Sequence, residues 1–315
     1  MTSLLRLGQI LKGRVSSYTI TKRIQDSVWL ASSSNLAEEK VIIKSVRHWC
    51  LQNECDILHR FQARAPSMRP IVDEIVDPSD PPAIVLKHLD DDVLHASSTR
   101  RFTTAEIKYI AKTVLQALEV LHEDGFVHTD IKPNNVLVNY SNQSQRISDT
   151  CLADFGSTVR EDSEYAREGF PIGTPIFRSP EAALRLKWDR ATDIWSFGTT
   201  LISMIWGLNW HIFKPDVPTD HEHYELKILM KHCQFFGPYP SSYQKMTDED
   251  TQKILAFVME AVKDVGKPFH LIRESEISKE DKAFVLKIMQ LDPRDRPSAK
   301  QLLDDEWFAD VEKPT

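Results

Sequence analysis

The sequence predicts an α+β fold, with strands gathered at the front of the chain and helices dominating the remainder. Three observations predict it. Short runs rich in β-branched and aromatic residues, separated by turn formers, recur as far as Leu86. From Ile107 onward, apolar residues return at three- and four-residue spacing. A length of 315 residues suggests about two domains.

In chain order, Ser17-Tyr18-Thr19-Ile20-Thr21 and Val28-Trp29-Leu30-Ala31 read as strands, and Val41-Ile42-Ile43-Lys44 ends a third. The stretch between the first two, Arg23-Ile24-Gln25-Asp26-Ser27-Val28, has no glycine. Val46 to Gln62 reads as a helix whose uneven apolar face is Leu51, Ile57, Leu58 and Phe61. Pro70-Ile71-Val72 and Ala83-Ile84-Val85-Leu86 are the next strands, divided by the turn Asp77-Pro78-Ser79-Asp80-Pro81-Pro82. Asp90-Asp91-Asp92 reads as readily as a solvated loop as it does as part of a site. Thr103-Thr104-Ala105-Glu106 is a capping box opening a long helix through Ile107, Ile110, Val114, Leu118 and Leu121, closed at Gly125. Val136-Leu137-Val138 reads as a strand, and Tyr140 to Thr150 as a short polar insertion. Asp193 opens a run through Trp206 that is apolar on every side, which belongs in a core. Thr247 to Val265 suggests a helical pair, and Ser298 caps a last helix with Trp307-Phe308 behind it.

Hydrophobic content of 41%, charged content of 27% and a formal charge of −7 describe an ordinary globular chain. The acidic balance argues against nonspecific binding to nucleic acid or to an anionic membrane, so neither partner is expected. No run is long enough to span a bilayer, and Met1 to Arg14 lacks the apolar stretch of a secretory signal. Cys50, Cys55, Cys151 and Cys233 have no C-x-x-C spacing and read as reduced thiols of a cytoplasmic or nuclear protein. His211, His221 and His223 have no cysteine nearby, and a solvated helix start explains them better than zinc does.

The chemistry is concentrated in two pieces. His128-Thr129-Asp130-Ile131-Lys132-Pro133-Asn134-Asn135 reads H-x-D-x-K-x-x-N, and Asp154-Phe155-Gly156 begins nineteen residues after Asn135. This is the composition that phosphoryl transfer from a Mg-nucleotide requires. Asp130 can orient a hydroxyl and accept its proton, and Lys132 can meet the moving phosphate. Asn135 and Asp154 can supply oxygen ligands to Mg²⁺. The transferred group needs positioning and charge neutralisation more than covalent help.

With these pieces the chain resembles the eukaryotic protein kinases from about Tyr18 to Phe308. The resemblance implies a bilobal protein-kinase-like fold, with a small β-rich lobe over about 18–87 and a larger α-helical lobe over about 92–308. Residues 1–17 are then an N-terminal extension and 309–315 a tail. It also implies a principal cavity between the lobes that holds ATP. Lys44 matches the lysine that holds the α- and β-phosphates, though a strand-end lysine alone carries no such meaning. Glu54 is its expected partner, with Asp56 the competitor. Leu86, Lys87 and Leu89 would frame the adenine at the hinge, Asp92 would reach the ribose and Leu137 would floor the site. Glu181 of Phe177-Arg178-Ser179-Pro180-Glu181 would pair with Arg296, and Asp193 would brace the catalytic loop.

Lys132 and Thr174 resemble the serine/threonine rather than the tyrosine kinases. Glu225 to Pro240 and the Thr247–Val265 segment resemble the CMGC group, and His128-Thr129-Asp130, the Phe177–Glu181 close and that segment together look most like the SR-protein kinases. The implied activity is ATP- and Mg²⁺-dependent phosphorylation of Ser/Thr hydroxyls in protein substrates by a monomer. Two departures stand against it. The family's glycine-rich phosphate loop is replaced by Arg23–Val28, and the small residue two before the lysine is Ile42. They keep open a pseudokinase or nucleotide-binding scaffold with weak or no transfer.

Overall fold

The computed structural model describes residues 5–35, 39–141 and 146–309. Met1–Leu4 of the expected extension, the tip 142–145 of the expected insertion and nearly all of the tail fall outside them. Six strands close into a barrel in the order β1-β2-β3-β4-β6-β5: β1 Ile10–Gly13, β2 Ser17–Gln25, β3 Val28–Ser33, β4 Lys40–Ser45, β5 Ile71–Asp77 and β6 Ala83–Lys87. The reading of 1–17 as an extension is therefore corrected, because β1 pairs with both β2 and β5. Its four residues bury Leu11 and Gly13 and expose Ile10 and Lys12. That is too short an alternation for a periodicity argument to find. Tyr18, Ile20, Trp29, Val41, Ile43 and Val85 fill the barrel from alternate positions.

Asp73 closes this barrel at one end. Its carboxylate accepts from the backbone N–H of Arg14, Val15 and Ser16 at 3.0, 3.0 and 3.2 Å and from the Tyr18 hydroxyl at 2.9 Å. Gly13 is required for this, since a Cβ there would collide with the Asp73 carboxylate. Burial works to raise the Asp73 pKa, but the backbone amides and Tyr18 outweigh it and hold the carboxyl below its usual range.

α1, Trp49–Phe61, joins β4 to β5, buries Leu51, Cys55, Leu58 and Phe61, and starts at His48, whose ring accepts from the Cys50 N–H. Beyond β6, Asp92 caps α2, Val93–Thr99, and the Thr103/Glu106 box caps α3, Thr104–Glu123. β7, Asp91–Asp92, β9, Val136–Tyr140, and β10, Ile147–Leu152, form a three-stranded sheet; β8, Phe126–Val127, pairs with β11, Val159–Arg160. Asp91 and Asp92 thus form a short strand, and Asp92 also caps a helix, while Asp90 is an exposed bend before them. The polar insertion shrinks too, since Ile147–Leu152 pairs with β9. Its Ser148-Asp149-Thr150 face concealed the strand.

α4, Glu164–Arg167, and α5, Pro180–Ala183, are single turns before α6, Ala191–Trp206, the buried axis of the larger core. α7, Tyr224–Phe236, and α8, Glu249–Val262, pack on one another. The expected helical pair over 247–265 is this one helix, because Gly266-Lys267-Pro268 cannot continue it. α9, Lys279–Ile288, and α10, Ala299–Leu303, complete the set. Glu181 and Arg296 make a bidentate pair at 2.7 and 2.8 Å in the core, and Arg296 also donates to the carbonyls of Ala191, Gln290 and Leu291. No described helix is long and apolar enough to cross a membrane.

Asp73→Ala is expected to strip partners from several amides and a phenol at once, at a cost of about 3 kcal/mol or more. Because the native carboxyl titrates below its unfolded value, its contribution is present above the usual carboxylate pKa and fades as pH falls through the lowered one. Urea melts of both proteins at pH 7 and pH 3 check this: the gap between them should narrow at the lower pH.

Candidate active site

Lys44, next to the end of β4, donates to Glu54 of α1 at 2.6 Å and to Asp154 at 2.7 Å. Three separate elements meet at one ammonium. Glu54 is the partner because it faces inward and is buried, whereas Asp56 lies exposed on the helix and accepts from Gln52. Burial works to lower the Lys44 pKa, but the two carboxylates outweigh it and the net shift is upward. For Asp154 burial works upward, and Lys44 turns the net shift downward, so both groups stay charged.

Asp154 sits in the left-handed region at φ 65°, which turns the chain into the 3₁₀ turn Phe155–Ser157. Phe155 is fully buried, edge-on to the His128 ring at 5.0 Å. Asn53, which sequence reasoning missed, fastens this turn to α1: its amide donates to the carbonyls of Gly156 and Thr158 at 3.1 and 2.9 Å. Adjacency to Glu54 was the only sequence signal it offered.

The loop between β8 and β9 carries the other half. Asp193 of α6 accepts from the backbone N–H of His128 and Thr129 at 2.8 and 2.9 Å, and its carboxylate also meets the His122 ring at 3.0 Å. Asp130 is enclosed by three side chains. Lys132 donates to it at 2.7 Å, the Thr174 hydroxyl at 3.1 Å and the Asn135 amide at 3.1 Å. Lys132 also reaches Thr174 at 3.0 Å. The Asn135 amide nitrogen is further engaged by the Asp130 carbonyl at 2.8 Å, which leaves its oxygen available to a cation. Gly173, at φ 61°, lies so close to the Thr129 carbonyl that a side chain would collide with it.

The remaining site residues line the approach to these groups. Leu86 is buried at the end of β6. The backbone of Lys87 is engaged within the protein, its N–H donating to the Pro70 carbonyl and its carbonyl accepting from Arg69, and its ammonium pairs with Asp149 at 2.7 Å. The Leu89 backbone makes no hydrogen bond among the described residues. Asp92 uses one oxygen to cap α2, and Leu137 lies half-buried beside it on β9.

Two features differ from expectation. β2 and β3 meet in a two-residue turn at Asp26-Ser27, so the segment covering the site is a tight hairpin whose tip carries an exposed Arg23–Asp26 pair. The expectation that the cleft forms the principal cavity is corrected. A cavity of about 650 Å³ lies instead behind it, between α3 and β10, lined among others by Ser67, Tyr109, Lys112, Gln116, Asp149 and Thr150. Within the cleft, Lys44 spans its two carboxylates and the buried Ile42 takes the room of a smaller residue.

A family model described as a protein kinase domain matches residues 31–308. Over 290 residues the chain is 24% identical to a serine/threonine-protein kinase US3 homolog of Cercopithecine herpesvirus 9 (strain DHV), covering 90% of this chain and 80% of that protein. Over 119 residues it is 34% identical to the serine/threonine-protein kinase pakF of Dictyostelium discoideum, covering 38% of this chain and 10% of that protein.

The two aspartates should separate in a melt. Asp193→Ala leaves buried amides of His128 and Thr129 unpaired and should cost about 3 kcal/mol. Asp154→Ala leaves Lys44 its Glu54 partner and should shift the unliganded thermal midpoint far less. Scanning calorimetry of both variants checks this, and equal losses would show that Asp154 serves the fold.

Proposed function

The chain belongs to the protein kinase family, and from that premise we propose that it is an active serine/threonine kinase, moving the γ-phosphate of ATP to hydroxyls of protein substrates. The observation that carries this reading is the Lys44 ammonium held between Glu54 and Asp154, with Asp130 oriented beside them. Burial works against charge on Lys44 and Asp154, but their ion pairing keeps both in the charged form that phosphoryl transfer needs.

Each residue has a part that its surroundings support. Lys44, fixed from both sides, would bind phosphate oxygens. Asp154 and the free oxygen of Asn135 are hard ligands that fit Mg²⁺, which when bound would neutralise charge on the phosphates. Asp130, with one oxygen tied to Lys132 and the other to Thr174, would orient the acceptor hydroxyl and take its proton. Lys132 would offset charge near the moving group. Leu86, Leu89 and Leu137 would hold the base, Leu89 through its backbone, while Lys87, its own backbone engaged by Pro70 and Arg69, would only frame the pocket, and Asp92 would offer its second oxygen to the ribose. The Lys132–Thr174 contact supports Ser/Thr specificity, as do the names of both relatives. A place among CMGC kinases close to the SR-protein kinases rests on Phe177–Glu181 and the added helix α8. The hairpin without glycine favours a second reading, a nucleotide-binding scaffold with little transfer.

Transfer of labelled γ-phosphate to a mixed Ser/Thr peptide library decides between the two. Asp130→Asn should lower the rate by roughly 100-fold or more, and Asp154→Ala should abolish it. A wild type that binds Mg-ATP without transfer would establish the scaffold.

Activity should not require phosphorylation of residues 157–172. In many kinases an arginine before the catalytic Asp holds an activation-segment phosphate; here Thr129 stands there, and its hydroxyl donates to the Ser157 carbonyl at 3.0 Å. Arg160 is engaged by Asp162. Protein from a host without kinases, with this segment unmodified by mass spectrometry, should transfer phosphate. A silent enzyme rescued by modification of Ser157, Thr158, Ser163 or Tyr165 would overturn this.

A further inference from the structure

α1 carries a second cluster one residue beyond Glu54. Cys55 and His59 stand one turn apart on the helix, and Glu74 reaches them from β5. One ligand atom from each, a thiol sulfur, a ring nitrogen and a carboxylate oxygen, lie within 4.8 Å of one another. Cys55 is buried, Glu74 half-buried and His59 exposed, so the group opens from the core toward solvent. The His59 Nε2 already meets Glu74 at 3.0 Å. Beside them is a cavity of about 130 Å³, lined by Cys55 and Glu74 together with His48, Leu51 and Gln52, with room for water at the two inner ligands.

A surface His–Glu pair accounts for His59 and Glu74 but not for a buried thiol completing a triangle with them. A sulfur, nitrogen and oxygen set suits a borderline divalent ion and is poorly matched to Mg²⁺ or Ca²⁺. Ligands of a tetrahedral zinc ion stand roughly 3.5 Å apart, so small side-chain rotations would bring these atoms together. We propose that Cys55, His59 and Glu74 form a Zn²⁺ site, with a water in the adjoining cavity as fourth ligand. Binding makes the sulfur–metal bond as the thiol proton leaves to solvent, and the imidazole coordinates neutral. Arg14, 3.3 Å from the other Glu74 oxygen, remains as that carboxylate's outer partner. The ion would tie α1 to β5 and so fix the helix that presents Glu54 to Lys44.

Cobalt titration of the intact, chelator-treated protein tests the site without any assay of activity. One equivalent of Co²⁺ should give a thiolate-to-metal charge-transfer band in the near ultraviolet, and Zn²⁺ should displace it. The band should vanish in Cys55→Ser and persist in Cys50→Ser. His59→Ala and Glu74→Gln should each weaken Co²⁺ binding by more than roughly tenfold. No band in the wild type, or a band that survives Cys55→Ser, would overturn the site. If Cys55→Ser does not fold, the exposed His59→Ala decides alone, and unchanged affinity there rejects the proposal.

Discussion

One ammonium, that of Lys44, is bound by two carboxylates from different parts of the chain, and the site's geometry depends on that contact. Glu54 can reach it only while α1 lies against the barrel, and Asp154 only while the turn at Phe155 keeps its left-handed entry. Burial opposes charge on both Lys44 and Asp154, yet Glu54 and Asp154 together hold Lys44 charged and Lys44 holds Asp154 charged. The three groups sum to one negative charge. A surplus carboxylate is thus left at the cleft.

The larger lobe answers with a hydrogen-bonded framework around Asp130. Asp193 lies in the most buried helix and commits both oxygens to backbone amides of the loop. The loop is thus positioned from the core outward. The Glu181–Arg296 pair does similar work farther down, joining α5 to the segment before α10 with every Arg296 donor accounted for. Such a pair contributes little net stability, but either charge alone in that core would be costly.

What the sequence revealed and what it hid divide along physical lines. The Thr103 and Ser298 caps, α3 and α6 were legible because they depend on spacing within a few residues. The groups around Asp130 and Asp154 were legible because the chemistry fixes their types. Hidden were features made by distant parts of the chain: β1, four residues long, which exists through its pairing with β5; Asp73, whose amide partners lie almost sixty positions away; and Asn53, an ordinary polar residue until α1 meets the turn after Asp154. The hairpin lacking glycine was visible, but the cavity behind the hinge was not, since it arises where α3, β10 and the loop after α1 leave a gap.

Thr129 joins the core-anchored loop to the segment that covers it. A β-branched residue at φ 74° is strained, at a cost of roughly 1–3 kcal/mol. It persists because Asp193 holds its N–H, its carbonyl lies against Gly173, and its hydroxyl bonds Ser157. An arginine at this position would reach outward for a charge on the following segment. The threonine instead turns inward and joins its own loop to residue 157 by short neutral bonds. Neutral bonds made within the chain are weakly sensitive to salt and need no added phosphate. The strain at Thr129 is therefore sustained by partners on both sides of it, which joins the two segments.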